Sequence, residues 1–292
     1  HGMAQWDGTA WSPMQGPPGA GLNGWIFDLT PGDDGTGPGL FAGGQFTQGG
    51  GQPLNGIGKW NGVSWSSLGA GINSDVGAIT FFDDGSGPAL FAAGGCTEAG
   101  GVPANEVAKW NGDTWSPLGA GLGDGTVMAL AAVHEGPAYG LYAGGNFRRA
   151  GGLPVNYLAR WDGTAWSAVG GSLGSWVFAL TSFDDGTGTQ LYVGGYVGMF
   201  RWNGTSWSGV GNGLPDTVLS LEVVDLGSGP TLYAGWDGGI SRWDGDQWIT
   251  MGLTGQGYSR VYGIASFDTG GGPALYAAGH FYEIGGVYAW HI

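Results

Sequence analysis

Asp28 and Glu222 are acids at places where a repeated strand otherwise carries small residues. Aligned with Asp28 stand Ala78, Ala129, Ala179, Ser220 and Gly263; aligned with Glu222 stand Thr30, Thr80, Ala131, Thr181 and Ala265. Small side chains at alternate positions of six strands suit a crowded central channel, because the period of two keeps them on one face. Both acids are therefore expected to project into that channel. Two carboxylates there could share general acid–base work on a glycosidic bond if burial raises the pKa of one. They could also meet at a metal ion, or line a wet channel as solvated groups. If the chain is an enzyme, Asp28 and Glu222 are its catalytic candidates, and they are its only metal candidates.

A second set lies at the start of the same strands, where the six copies read Trp25, Asp75, Thr126, Trp176, Thr217 and Arg260 and follow no repeat. Trp25 and Trp176, with Asp75 and Arg260 as polar neighbours, form a surface suited to stacking on sugar rings or capturing a peptide side chain. On the same face the first three copies carry long loops, and Arg148 and Arg149 in the third are off the repeat. Tyr196, Trp236 and His280 occupy the corresponding shorter loops. These nine residues are the ligand-binding candidates.

The elements that hold them follow from an internal period. "KWNGVSW" (59–65), "RWDGTAW" (160–166) and "RWNGTSW" (201–207) are copies of one motif whose first Trp falls at 6, 60, 110, 161, 202, 243 and, truncated, 290, in steps of 41 to 54 residues. Each unit holds four short apolar runs bounded by Gly, Asn and Asp, which read as strands. The "NG" or "DG" between the two Trp predicts a type I′ hairpin turn. "DDGSGP" and "DDGTGP" predict a longer one, and no segment has the 3.6-residue period of a helix. Four antiparallel strands repeated six times are the signature of propeller blades. The expected fold is all-β: a single six-bladed β-propeller over 1–292 with blades near 24–70, 74–120, 125–171, 175–212, 216–252 and 260–292 plus 3–16. The termini share the last blade. Met3–Trp6 and Val287–His291 compete for its third strand, and the C-terminal copy is favoured.

The glycine doublets of "LYAGG" and "LYVGG", followed by an aromatic and a strand-closing Trp, resemble the kelch repeat and galactose-oxidase-like central domains. The wording GGxF…AGGxPxNxxAxWxGxxW is closer still to glycine-rich repeats of large bacterial surface proteins and of a fungal cortical polarity marker. The resemblance covers all six units and implies a propeller, with motifs that carry no chemistry. The copper site of galactose oxidase is not expected, since Cys96 stands where other units have Phe46 and Phe147 and the chain has only four His.

The repeat also explains residues that look functional. Lys59, Lys109, Arg160, Arg201 and Arg242 all precede the motif Trp. Asp33, Asp83, His134, Asp184, Asp225 and Asp268 align on the same face, which predicts a ring of surface ion pairs. Most of the 16 Trp are motif pairs that pack between blades. Asn55, Asn105 and Asn156 recur as turn residues.

The net charge of −15, from 23 acidic and 8 basic side chains, repels nucleic acid phosphates and anionic membranes. No apolar run is long enough for a membrane span, no leader is legible in "HGMAQW", and one cysteine excludes an internal disulfide. The function expected is non-catalytic recognition of a glycan or protein on the long-loop face by a monomer without cofactors. An extracellular or cell-surface setting is favoured. A carbohydrate-active hydrolase or lyase and a purely architectural repeat unit are the alternatives.

Overall fold

The computed structural model describes residues 4–6, 11–13, 21–135, 138–196, 198–253, 260–268, 272–281, 283–284 and 287–288. All regular structure among them is β. Two compact units emerge, one of residues 1–132 and 140–172 and one of 133–139 and 173–292.

Three four-stranded antiparallel sheets, one per repeat, lie in the first unit, except for residues 133–139 of the third. The first runs Trp25–Asp33, Pro38–Gln45, Ile57–Trp60 and Trp65–Ser67; the second, Val76–Asp83, Pro88–Gly94, Val107–Trp110 and Trp115–Pro117. The third is built on Val127–Glu135, Ala138–Gly145, Leu158–Trp161 and Trp166–Ala168. In the second unit the sheets are Val177–Asp184, Thr189–Gly195, Gly198–Trp202 and Trp207–Gly209, then Val218–Asp225, Pro230–Trp236, Gly239–Trp243 and Trp248–Leu253. Arg260–Asp268 pairs with Pro273–His280 after them. Every sheet runs in chain order, as short hairpins dictate.

The first strands carry a bulge near their starts, seen as register shifts at Ile26/Asp28, Val177/Ala179, Val218/Ser220 and Val261/Gly263. Apolar faces of neighbouring sheets meet in shared cores. Phe41, Ile57, Val76, Ile79 and Leu90 join the first two sheets, and Tyr192, Val218, Leu221 and Leu232 join the fourth and fifth.

The motif Trp pair faces itself across its hairpin, with Trp60 opposite Trp65 at a centroid distance of 5.5 Å and Trp110 opposite Trp115 at 5.4 Å. The second Trp also ties repeats together: Trp115, Trp166 and Trp248 donate their indole N–H to the carbonyls of Leu68, Leu118 and Val210, each in the preceding repeat.

Three sequence expectations change. The Trp hairpin is not type I′. Gly62 has φ +95° while Asn61 stays out of the left-handed region, a pattern with Gly first, as in type II′. Asn61 Oδ1 instead accepts the N–H of Val63 and Ser64.

The ion pairs use the acid after the aligned one. Lys59 binds Asp34 at 2.7 Å, Lys109 binds Asp84 at 2.6 Å, and Arg201 binds Asp185. Asp33, Asp83, Asp184 and Asp225 are occupied in the turn, each accepting the N–H of the two glycines that follow at +2 and +4. The Lys59–Asp34 pair is buried rather than superficial, and Asp34 Oδ2 also accepts the Trp110 indole N–H at 2.9 Å.

The third change concerns the termini. Ala4–Trp6 pairs with Trp11–Pro13 in the Trp-to-Trp register of the complete repeats, Trp6 opposite Trp11. Val287–Tyr288 instead pairs with Glu283–Ile284 in the register of Val102–Pro103 with Glu98–Ala99. In sequence, too, "EIGGVY" copies the loop hairpin "EAGGVP". Among the described residues neither terminal segment pairs with Pro273–His280; Met3, Trp290 and His291 lie outside them.

Candidate functional site

The long loops are small hairpins in their own right: Gln48–Gly49 with Gln52–Pro53, Glu98–Ala99 with Val102–Pro103, and Arg149–Ala150 with Leu153–Pro154. Each leans on the segment before its own first strand, through Leu22 to Gly49, Ile72 to Ala99, and Leu122 to Ala150. Side chains fasten them. Asn23 Oδ1 accepts the N–H of Thr47 and Gln48, and Asn73 Oδ1 those of Thr97 and Glu98. Asn55 and Asn105 donate to the carbonyls of Ala70 and Ala120, which is the turn role expected of them.

In the first unit Trp25 is 71% exposed, edge-on to Phe27. It lies opposite Gln45, whose Nε2 donates to Asp75 Oδ2 at 2.9 Å. Arg148 reaches across the Tyr157 ring and donates to its hydroxyl, while Arg149 pairs with Asp124 at 2.8 Å. The basic spot is thus matched locally by its own partners.

The second unit gathers more of the candidates. Trp176 lies 5.6 Å from Tyr196 between ring centroids, Phe178 lies 4.9 Å from Tyr196, and both Trp176 and Tyr196 keep open faces. Arg260 Nε sits 3.0 Å from Asp237 Oδ1, an ion pair inside the same unit. A hydrogen bond to Tyr262, with the charge of Asp237 and the proximity of Tyr196, holds the Arg260 guanidinium above its ordinary pKa. Burial pushes Asp237 up despite Arg260, and Asp216 adds to the rise. His280 is exposed and opposite Arg260 on the neighbouring strand. Trp236 is buried with its indole N–H on Ser241 Oγ, so it offers no stacking face.

The two acids expected to line a channel, Asp28 and Glu222, fall in different units. Asp28 is half-buried and fully engaged: Oδ1 accepts the N–H of Leu29 at 2.8 Å, and Oδ2 that of Ile79, in the adjacent sheet, at 2.7 Å. Burial raises its pKa against those two bonds. Glu222 is exposed on Val218–Asp225. Among the described residues no group of three His, Cys, Asp or Glu side chains could hold a metal ion, and no helix is long and apolar enough to cross a membrane.

The chain resembles solved folds of low sequence identity. The extracellular domain of a hybrid two-component system from B. thetaiotaomicron matches over 89% of this chain at 15% identity and a TM-score of 0.59. This chain spans about a third of that one, 31%. An ancestral GH74 enzyme matches over 93% of this chain and 40% of its own, at 15% identity and a TM-score of 0.58. With the succession of four-stranded antiparallel sheets, these matches support a β-propeller-like fold. No protein-family model matches the sequence, and no curated protein does.

Sequence reading missed Phe178, Asp237 and Tyr262, which look like ordinary strand residues until the rings and the ion pair are seen together. It also missed Glu106. There the first repeat writes Gly56 and the third Tyr157, and all three residues are left-handed, at φ +64°, +79° and +68°. A glutamate in that conformation is uncommon and strained. Burial and the charge of Asp124 push its carboxyl up to about 7, against a hydrogen bond from the Gly125 N–H. The legible signal was a charged residue replacing glycine after a recurring Asn.

Proposed function

We propose that the chain is a non-catalytic binding module whose six repeats are blades of one propeller. It recognises a glycan through the loop-face aromatics of its second unit. The observation that carries this reading is the cluster of Trp176, Phe178 and Tyr196 with the Arg260–Asp237 pair in the same unit. Aromatic faces cover the apolar side of a sugar ring, and a paired guanidinium and carboxylate offer donors and acceptors to its hydroxyls. Both oxygens of Asp28 already accept backbone N–H groups, which argues for a structural part over an acid–base one. An extracellular or cell-surface setting fits a glycan receptor, and the extracellular domain of the two-component system named above is a precedent for such a fold there.

The test is a broad glycan array probed with the wild type, Trp176→Ala and Tyr196→Ala. Specific binding lost in both variants supports the reading. Binding that survives both moves recognition elsewhere, and a blank array favours a protein partner or the architectural alternative.

A further inference from the structure

Two clefts at equivalent places in the first unit differ by one residue. The cleft between the second and third repeats has a volume of about 300 Å³ and is lined by Thr97, Asn105, Glu106, Leu122 and Arg149 among others. Glu106 enters it from the left-handed position, and its carboxyl accepts the N–H of Gly125 in the turn that leads into the third repeat. The cleft between the first and second repeats has Gly56 at that position and a volume of about 590 Å³, within the range of small-molecule sites. Glu106 narrows its cleft with its own carboxyl, and Gly56 leaves the equivalent space wider.

Gln45, Asn55, Asn73, Asp75 and Glu98 line the open cleft together with the turn Ser74, and no basic side chain does. The amide nitrogens of Asn23, Gln45, Asn55 and Asn73 are already donated, to Thr47, Asp75, Ala70 and Thr97. Each amide keeps a second N–H, the Oδ1 atoms of Asn23 and Asn73 are already filled by backbone N–H groups, and the carboxylates of Asp75 and Glu98 are the strong acceptors, so an occupant must donate hydrogen bonds and an anion is disfavoured. The second amide N–H groups need an acceptor, so the occupant that fits best both donates and accepts. A hydroxyl does both; an ammonium only donates. Trp25, across the strand pair from Gln45, adds an exposed aromatic face at the same end of the sheet.

We infer that the cleft between the first two repeats is a binding site for a single neutral sugar ring, and that Gly56 keeps it wide where Glu106 narrows its twin. The inference does not depend on the aromatic cluster of the second unit, because it concerns different residues in a different unit.

The experiment titrates 15N-labelled protein with a panel of neutral monosaccharides and, in parallel, with butylamine and acetate. Saturable shifts of the Gln45, Asn73 and Asp75 resonances with at least one sugar, and with neither control, are expected. Gly56→Glu should weaken that binding about tenfold or more, and Trp176→Ala should leave it unchanged, which separates failure of this site from failure of the aromatic cluster. A Cβ at Gly56 meets Ser74 O at 2.7 Å, so the variant's thermal midpoint is checked. If it does not fold, Asp75→Asn and Gln45→Ala decide, each weakening binding about fivefold to tenfold. Saturation by butylamine but by no sugar, no saturable shift at all, or full sugar affinity in the folded Gly56→Glu protein or in both reserve variants overturns the inference.

Discussion

At Glu106 a single side chain pays for position in two currencies, backbone strain and a displaced proton equilibrium. Its pKa of about 7 lies above the ordinary glutamate value of 4.5 because burial and Asp124 oppose ionisation more than the Gly125 N–H favours it. A group whose pKa is raised on folding contributes stability that is fully present below the unfolded value and lost as pH rises through the folded value. The native state is therefore held more firmly near pH 5 than near pH 8 by this residue. Asp124, whose charge acts on it, is itself ion-paired with Arg149. Glu106→Gln keeps the shape and removes the proton. Its thermal midpoint should exceed that of the wild type at pH 8 by about 2 to 4 °C and match it at pH 5, since the half-exposed group delivers only part of the full linkage. A gain of equal size at both pH values would mean that strain or packing, rather than ionisation, carries the effect.

At the scale of the element, the "DDG" hairpin shows two adjacent aspartates doing unlike work. Asp33 accepts the N–H of Gly35 and Gly37, both at positive φ, and closes its own turn in the open. Asp34 turns inward, binds Lys59 and Thr36, and receives the indole N–H of Trp110 from the second sheet. Removing Asp34 leaves the buried Lys59 ammonium without its counter-charge, held only by Thr36 Oγ1 and the Gly37 carbonyl, and the Trp110 indole N–H without its acceptor. Asp34→Ala should accordingly cost about 3 to 5 kcal/mol in urea unfolding, against about 1 kcal/mol for Asp33→Ala. Equal costs would mean that the pair contributes through turn formation alone. The strands and hairpins of this repeat were legible because glycine, aspartate and the apolar runs are local signals. Which aspartate meets the lysine was not, because alignment identifies a column but not the direction in which a side chain leaves the turn. The same limit explains Trp290, whose type matched the motif while its neighbours "EIGGVY" matched the loop hairpin. At the site, Trp176, Tyr196 and Arg260 stood out by breaking the repeat. Phe178 and Tyr262 could not, since an aromatic on a strand reads first as core.

Across the whole molecule the excess of acid over base, 23 against 8, is larger than the ion pairs can absorb. Among the ion pairs described above, Lys59–Asp34 is deeply buried, while Arg149–Asp124 is open to solvent. Screening acts weakly on the first kind and strongly on the second, and it also relieves repulsion among the unpaired carboxylates. The repulsion is the larger quantity here, because a net charge of −15 is spread over turns that place Asp33, Asp83, Asp184 and Asp225 in the open. Raising sodium chloride from 10 to 150 mM should therefore raise the thermal midpoint at pH 8 by a few degrees, on the order of 1 to 2 kcal/mol of relieved repulsion. The gain should shrink at pH 4.5, where part of the exposed carboxylate charge is titrated away. A midpoint that falls with salt at pH 8 would show that attractive surface pairs outweigh the net charge. The acids would then have to be viewed as a paired network rather than as the uncompensated field that keeps anionic partners away.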